Sequence, residues 1–128
     1  MENRMPDLSK LKLAAAIVIF TGGFTAAAQA QTPSADDAGK TLFLQNCSAC
    51  HQASGAGGIH FGNAVSADLR APELEAGYHN NDALILRAIL YAKDETGAPL
   101  DAPMPAWANR LTVAQAKDIV AYLHKLHS

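Results

Sequence analysis

The chain has 128 residues, ten basic and twelve acidic, which is room for one domain and little more. It contains only two cysteines. The slightly acidic balance argues against nucleic acid as a partner.

The first 30 residues read as a leader. Arg4, Lys10 and Lys12 give a positive opening, Leu13 to Ala28 carries no charge, and Ala28-Gln29-Ala30 fits the small-x-small pattern of a signal-peptidase site. The expectation is export to the periplasm with cleavage after Ala30. The alternative, an uncleaved membrane anchor, is weakened by Thr21, Gly22, Gly23 and Thr25, and by an uncharged run shorter than the usual span of about 18 residues or more. Residues 31–128 would then form the single mature domain. Three of the ten basic and two of the twelve acidic residues go with the leader, leaving seven against ten and a net charge of −3. A domain this small has little core of its own, and a large apolar cofactor at its centre would help it fold.

Ser34-Ala35-Asp36-Asp37 has the form of a capping box and predicts a helix running through Leu42 and Phe43 into Cys47. Gly39 and Phe43 share a face of it, and the glycine lets another helix come close. The region from Ser54 to Ala71 holds Gly55, Gly57, Gly58 and Gly62 without a sustained period and reads as a loop. Pro72 and Leu74 open a short helical turn that Tyr78 closes. Asn81-Asp82 caps a predicted helix over about Ala83 to Ala92, apolar along Leu84, Ile85, Ala88 and Ile89. Gly97, Pro99, Pro103 and Pro105 break the next segment into a loop, for which Leu100, Met104 and Trp107 favour an ordered course. Thr112-Val113-Ala114-Gln115 is a clear capping box, followed by Ala116, Ile119, Val120 and Leu123 at helical spacing. The last helix is predicted from about Val113 to Leu126. No strand alternation, internal repeat or low-complexity tract stands out.

The chemistry concentrates in Cys47-Ser48-Ala49-Cys50-His51, which contains both cysteines. On a helix the two thiols lie one turn apart with the imidazole beside them. Two thiols at that separation can add to the two vinyl groups of a haem while the histidine reaches the iron. A thioredoxin-like redox pair expects a preceding strand and a helix starting at the first cysteine, neither of which is indicated. A structural zinc site needs a better donor set than two cysteines and scattered histidines.

With haem bound, His51 fills one axial position and Met104 is the candidate for the other. It is the only methionine outside the leader and stands between Pro103 and Pro105, which stiffen its loop and reduce the entropy opposing a weak iron–thioether bond. His60, His79, His124 and His127 are the competing ligands, the last two expected in solvent. Trp107 and Tyr78 suit either core packing or contact with the porphyrin. Arg70, Arg87 and Lys93 read as ordinary solvated charges.

Taken together, the chain resembles a class I cytochrome c of the monohaem, C-x-x-C-H type. The resemblance runs over about residues 38–126, through G-K-T-L-F-L-Q-N-C-S-A-C-H, the glycine-rich loop, M-P-A-W at Met104 to Trp107, and L-T-V-A-Q-A-K-D-I-V-A-Y-L at Leu111 to Leu123. It implies an all-α fold whose N- and C-terminal helices cross, with Gly39 and Phe43 meeting Ile119 and Tyr122, around one haem c. That haem would be covalently held by Cys47 and Cys50 with His51 and Met104 as axial ligands. Where the family often has a proline whose carbonyl holds the proximal histidine, this chain has Ser66 or Ala67, and a backbone carbonyl there can still accept the His51 Nδ1 proton.

The function expected is a one-electron carrier of the periplasm, not itself an enzyme, acting between a donor and an acceptor protein. The alternative is the haem c subunit of an exported oxidoreductase or terminal oxidase complex. A sensor or peroxidase with an open iron position is the third class.

Overall fold

A computed structural model describes residues 31–127; the expected leader and its cut after Ala30 lie outside the described residues. Five helices and one small hairpin follow in the order α1 (Ala35–Asn46), α2 (Ser48–His51), β1 (His60–Phe61), β2 (Ala64–Val65), α3 (Glu73–Gly77), α4 (Asp82–Tyr91) and α5 (Val113–Leu123). The fold is all-α in its framework, as expected.

Helix α1 starts at Ser34, whose hydroxyl accepts from the Asp37 amide at 3.2 Å. The box is not reciprocal: the Asp37 carboxylate takes the Ser34 hydroxyl proton at 2.8 Å rather than the capping amide. The helix also stops one residue earlier than predicted. Cys47 sits at the joint with α2 at φ −114°, ψ −31°, so the cysteine motif forms its own turn, closed by bonds from Cys50 N and His51 N to the Cys47 carbonyl at 3.2 and 2.9 Å. Helix α5 has the full reciprocal box between Thr112 and Gln115. It ends at Leu123, three residues short of the prediction, as Leu126 turns away to accept the Ala71 amide at 2.9 Å.

Helices α1 and α5 pack on each other more extensively than any other pair. Their backbones touch at Gly39, where an added Cβ would fall 2.0 Å from the Asp118 carbonyl oxygen. One turn on, Phe43 and Tyr122 meet with ring centroids 5.4 Å apart and planes tilted by 51°, the geometry aromatic pairs prefer. Phe43, Ala116 and Ile119 are at most 1% exposed. Helix α4 leans on α5 through Ile85, Ile89 and Leu90. The hairpin, paired His60 to Val65 and Phe61 to Ala64, interrupts the glycine-rich loop. Its Gly62-Asn63 turn is the signal for it in the sequence.

Two charged contacts tie down the end of α5. Lys125 pairs with Asp36 beside the start of α1. His124, expected in solvent, is instead one-third exposed, with Nδ1 2.6 Å from Glu75 of α3 and Nε2 2.9 Å from Asp82 of α4. Carboxylates only accept, so both bonds form only with the protonated imidazole. The Glu75 bond, with Asp82 in support, raises the His124 pKa above its ordinary 6.5 against the opposing effect of burial.

Two predictions follow from the packing. Gly39→Ala should cost about 3 kcal/mol in chemical denaturation of the haem-loaded protein, since α1 and α5 must move apart. The His124 contribution is complete below about pH 6.5 and is lost as the pH rises through the raised value. The stability gap between wild type and His124→Gln, about 1 kcal/mol at most for so exposed a group, should therefore be widest in mild acid and close towards alkaline pH.

Candidate functional site

One cavity of about 410 Å³ is walled by α2, the hairpin, the segment Ser66 to Leu69, α3, α4 and the stretch Leu100 to Trp107. Cys47, Cys50, His51 and Met104, 57 residues apart at the extremes, all line it. Much of the rest is apolar, with Leu69, Leu74, Ile85, Ile89 and Leu123 among the contributors.

His51 is 8% exposed, and its Nδ1 lies 2.9 Å from the carbonyl oxygen of Ala67. That oxygen can only accept, so Nδ1 carries the proton and Nε2 keeps its lone pair. The carbonyl reaches the ring because the glycine-rich loop folds tightly beneath it. Gly57, at φ +63°, leaves no room for a Cβ, which would lie 2.2 Å from the Ala67 oxygen. The loop is pinned by Gly57 N to the His51 carbonyl at 3.0 Å and Gly58 N to the Ser66 carbonyl at 2.8 Å. A proline is not needed to aim this carbonyl.

Cys47 and Cys50 are not joined in a disulfide, so both sulfur atoms remain available for thioether bonds. At the rim, Arg70 grips Asp68 with two nitrogens, at 2.5 Å through Nη2 and 2.9 Å through Nε. The side-chain bond holds the Asp68 carboxyl down to about 2. Arg70 was expected as a solvated charge and is instead committed to this pair.

Met104 is half-buried on a strap that hangs from the end of α4. A helix leaves its last carbonyls without partners of its own. Here the Ile89 and Leu90 carbonyls accept from Trp107 N and Ala108 N at 3.1 and 3.0 Å, and the Ala92 carbonyl accepts from Leu100 N at 2.9 Å. The loop expected to be ordered is ordered for this reason. Trp107 and Tyr78 both line the cavity, and the Arg110 guanidinium lies 5.6 Å from the Trp107 ring centroid. Of the rival histidines, His60 and His79 are exposed and His124 is held by its two carboxylates; none of the three, nor His127, lines the cavity. Arg87, predicted to be solvated, is half-buried and donates from Nη2 to the Asp94 carbonyl at 2.6 Å. That role has no signature in sequence, where an arginine on an apolar helix reads as a lone charge. Among the described residues no group of three or more acidic, histidine or cysteine side chains is arranged to hold a metal ion by itself.

The donor set fits a covalently attached haem: two thiols and a histidine of fixed tautomer on one turn, a thioether on another segment, and an apolar space between secondary-structure elements. The fold and cavity thus define a small all-α protein of the c-type haem class. A family model described as Cytochrome c matches residues 37–127. The chain belongs to the cytochrome c family, which carries covalently bound haem c and transfers electrons, and Cys47 and Cys50 fit its C-x-x-C-H attachment motif. The chain is 32% identical over 95 residues to the Cbb3-type cytochrome c oxidase subunit CcoP of Azospirillum brasilense, covering 72% of this chain and 28% of that protein. It is 33% identical over 98 residues to the Cbb3-type cytochrome c oxidase subunit FixPc of Rhizobium leguminosarum bv. viciae, covering 73% and 29%. A third similarity, 32% over 91 residues, is to a CcoP subunit of Cereibacter sphaeroides, covering 69% and 26%. The chain spans less than a third of the length of these relatives.

The tight fit under His51 yields a test. Gly57→Ala should displace the Ala67 carbonyl, lower the stability of the haem-loaded protein by about 2 kcal/mol or more, and shift the Nδ1 proton of His51 in the NMR spectrum of the ferrous form.

Proposed function

We propose that this chain is the haem c electron-transfer module of an exported oxidase or related oxidoreductase complex, with His51 and Met104 as axial ligands and Cys47 and Cys50 as the thioether anchors. Of the two electron-transfer readings, a diffusing carrier and a subunit of a complex, the similarity to three oxidase subunits supports the second. The single observation that carries the ligand assignment is that His51 and Met104 meet at one apolar cavity while the other histidines stay outside it. Export to the periplasm is supported by the leader-like first 30 residues, and residues 31–128 then form a single cytochrome c domain. No helix among the described residues is long and apolar enough to cross a membrane.

When bound, the haem supplies a reversible one-electron couple. The chain does the rest by holding still. The Ala67 carbonyl keeps the His51 Nδ1 proton in place, orients the ring, and makes Nε2 a better donor. Pro103 and Pro105 restrict the backbone on each side of Met104, so little loop entropy is lost on ligation. Apolar side chains would keep water from the bound haem, and a thioether from Met104 would favour its reduced state relative to a second histidine. With His51 and Met104 both holding the iron, no substrate atom would be required there, and exchange with a partner would need only brief docking through a small interface.

The test is the optical spectrum of the exported ferric protein beside Met104→Ala. The wild type should show the iron–sulfur charge-transfer band and its ferrous form should not bind carbon monoxide at neutral pH; the variant should lose the band and bind the gas. A wild type that binds carbon monoxide points to the open-iron class. Haem fully extractable from the wild type would refute attachment through Cys47 and Cys50. Purification at native expression should bring down an oxidase polypeptide, and a chain recovered wholly free returns the reading to a diffusing carrier.

A further inference from the structure

We propose that Arg87 and Asp94 are positioning residues for Met104, forming a latch that fixes where the Met104-bearing strap leaves α4. The proposal rests on Met104 as the axial ligand. Within Asp101 to Ala106 the described backbone bond is from Met104 N to the Asp101 carbonyl at 3.1 Å, so the strap is placed chiefly by its ends. The downstream end is set directly by α4, through Trp107 and Ala108. The upstream end, Leu100, reaches α4 only after a turn at Asp94 to Ala98, and the geometry of that turn decides where Leu100 lands.

The turn is closed by one carboxylate. Asp94 Oδ1 accepts from Thr96 N at 2.9 Å, Thr96 Oγ1 at 2.7 Å and Ala98 N at 2.8 Å. Its backbone adds Asp94 N to the Ala98 carbonyl at 2.8 Å and Gly97 N to the Asp94 carbonyl at 3.1 Å. These bonds, led by the Thr96 hydroxyl, hold the Asp94 carboxyl below its usual range. Arg87 then ties the turn to the helix that carries the other anchors. Its Nη2 bonds the same Asp94 carbonyl at 2.6 Å, and its guanidinium lies across Gly97, about 4 Å from where a Cβ would stand. Arg87 Nε is buried without a partner among the described residues. A guanidinium serving only solubility would swing out and satisfy that N–H with water. This one stays under the turn.

A thioether bond to iron is weak, so its occupancy depends on how little the strap can stray. Imidazole added to the ferric haem-loaded protein competes with Met104 for the iron, and loss of the iron–sulfur charge-transfer band reads the competition. Asp94→Ala and Arg87→Met should each bind imidazole about tenfold more tightly than the wild type. Asp94→Asn, which keeps the accepting oxygen, should stay within about twofold, and Thr96→Val, which removes one bond of three, should fall between. Ile119→Val, a core change on α5, gauges general loss of stability. Unchanged affinity in Asp94→Ala and Arg87→Met, or a change no larger than in Ile119→Val at equal loss of stability, overturns the latch while leaving Met104 as ligand. A wild type without the band overturns the ligand assignment and the latch with it. Should Asp94→Ala fail to fold, Arg87→Met and Thr96→Val decide the question by the same titration.

Discussion

The close approach of α1 and α5 at Gly39 is the contact on which the rest of the molecule depends. Because the helix backbones touch there, Phe43 is driven down onto Tyr122 and Ile119, and the end of α1 is carried to the place where Cys47 begins the next turn. The attachment turn is therefore aimed by a helix crossing that contains none of its residues. The same crossing sets α5 as the floor against which α4 lies, and α4 in turn carries the strap of Met104. Both sides of the site descend from one glycine-sized gap.

The two sides are nevertheless built on different principles. The histidine side is a loop compressed against a ring: Gly57 allows the Ala67 carbonyl in, and that carbonyl fixes both the tautomer and the direction of His51. The methionine side is a strap suspended from unpaired helix carbonyls, with Arg87 and Asp94 at its upstream end. Compression leaves one arrangement, whereas suspension leaves the middle of the strap to its own stiffness. That difference gives physical meaning to prolines on either side of Met104, which would be redundant in a loop held along its length.

The parts legible in the sequence were those governed by local rules. Thr112 to Gln115 forms the box its pattern predicts, Asn81 caps α4, and Cys47, Cys50 and His51 share a turn because three residues of helical spacing place them there. What escaped was long-range and polar. His124 looks solvated on the helical wheel, since its two partners lie 49 and 42 residues away. Arg87 looks like a stray charge until the Asp94 turn is folded over it. The early end of α5 has the same origin, for the Leu126 carbonyl is claimed by Ala71 from the far side of the chain. Periodicity records which face of a helix is apolar, but it is silent on which distant carboxylate or amide will meet a polar end.

Leu74, Ile85, Ile89 and Leu123 belong to the hydrophobic core and to the cavity wall at once. In a larger protein the core can be rigid while the site is tuned separately. Here one set of side chains does both, so a substitution that loosens the packing also changes how water and charge approach the cavity. The charged clamps lie outside this shared region: His124 with Glu75 and Asp82, and Lys125 with Asp36, fasten the end of α5 from the surface. Polar contacts at the periphery hold the helices in register, and the carboxylates that line the cavity, Asp68, Glu73 and Asp101, belong to exposed or half-buried residues at its edge rather than to the core. For a domain of this size such a division follows from the scarcity of core, because a buried ion pair would displace apolar wall that serves folding and site together.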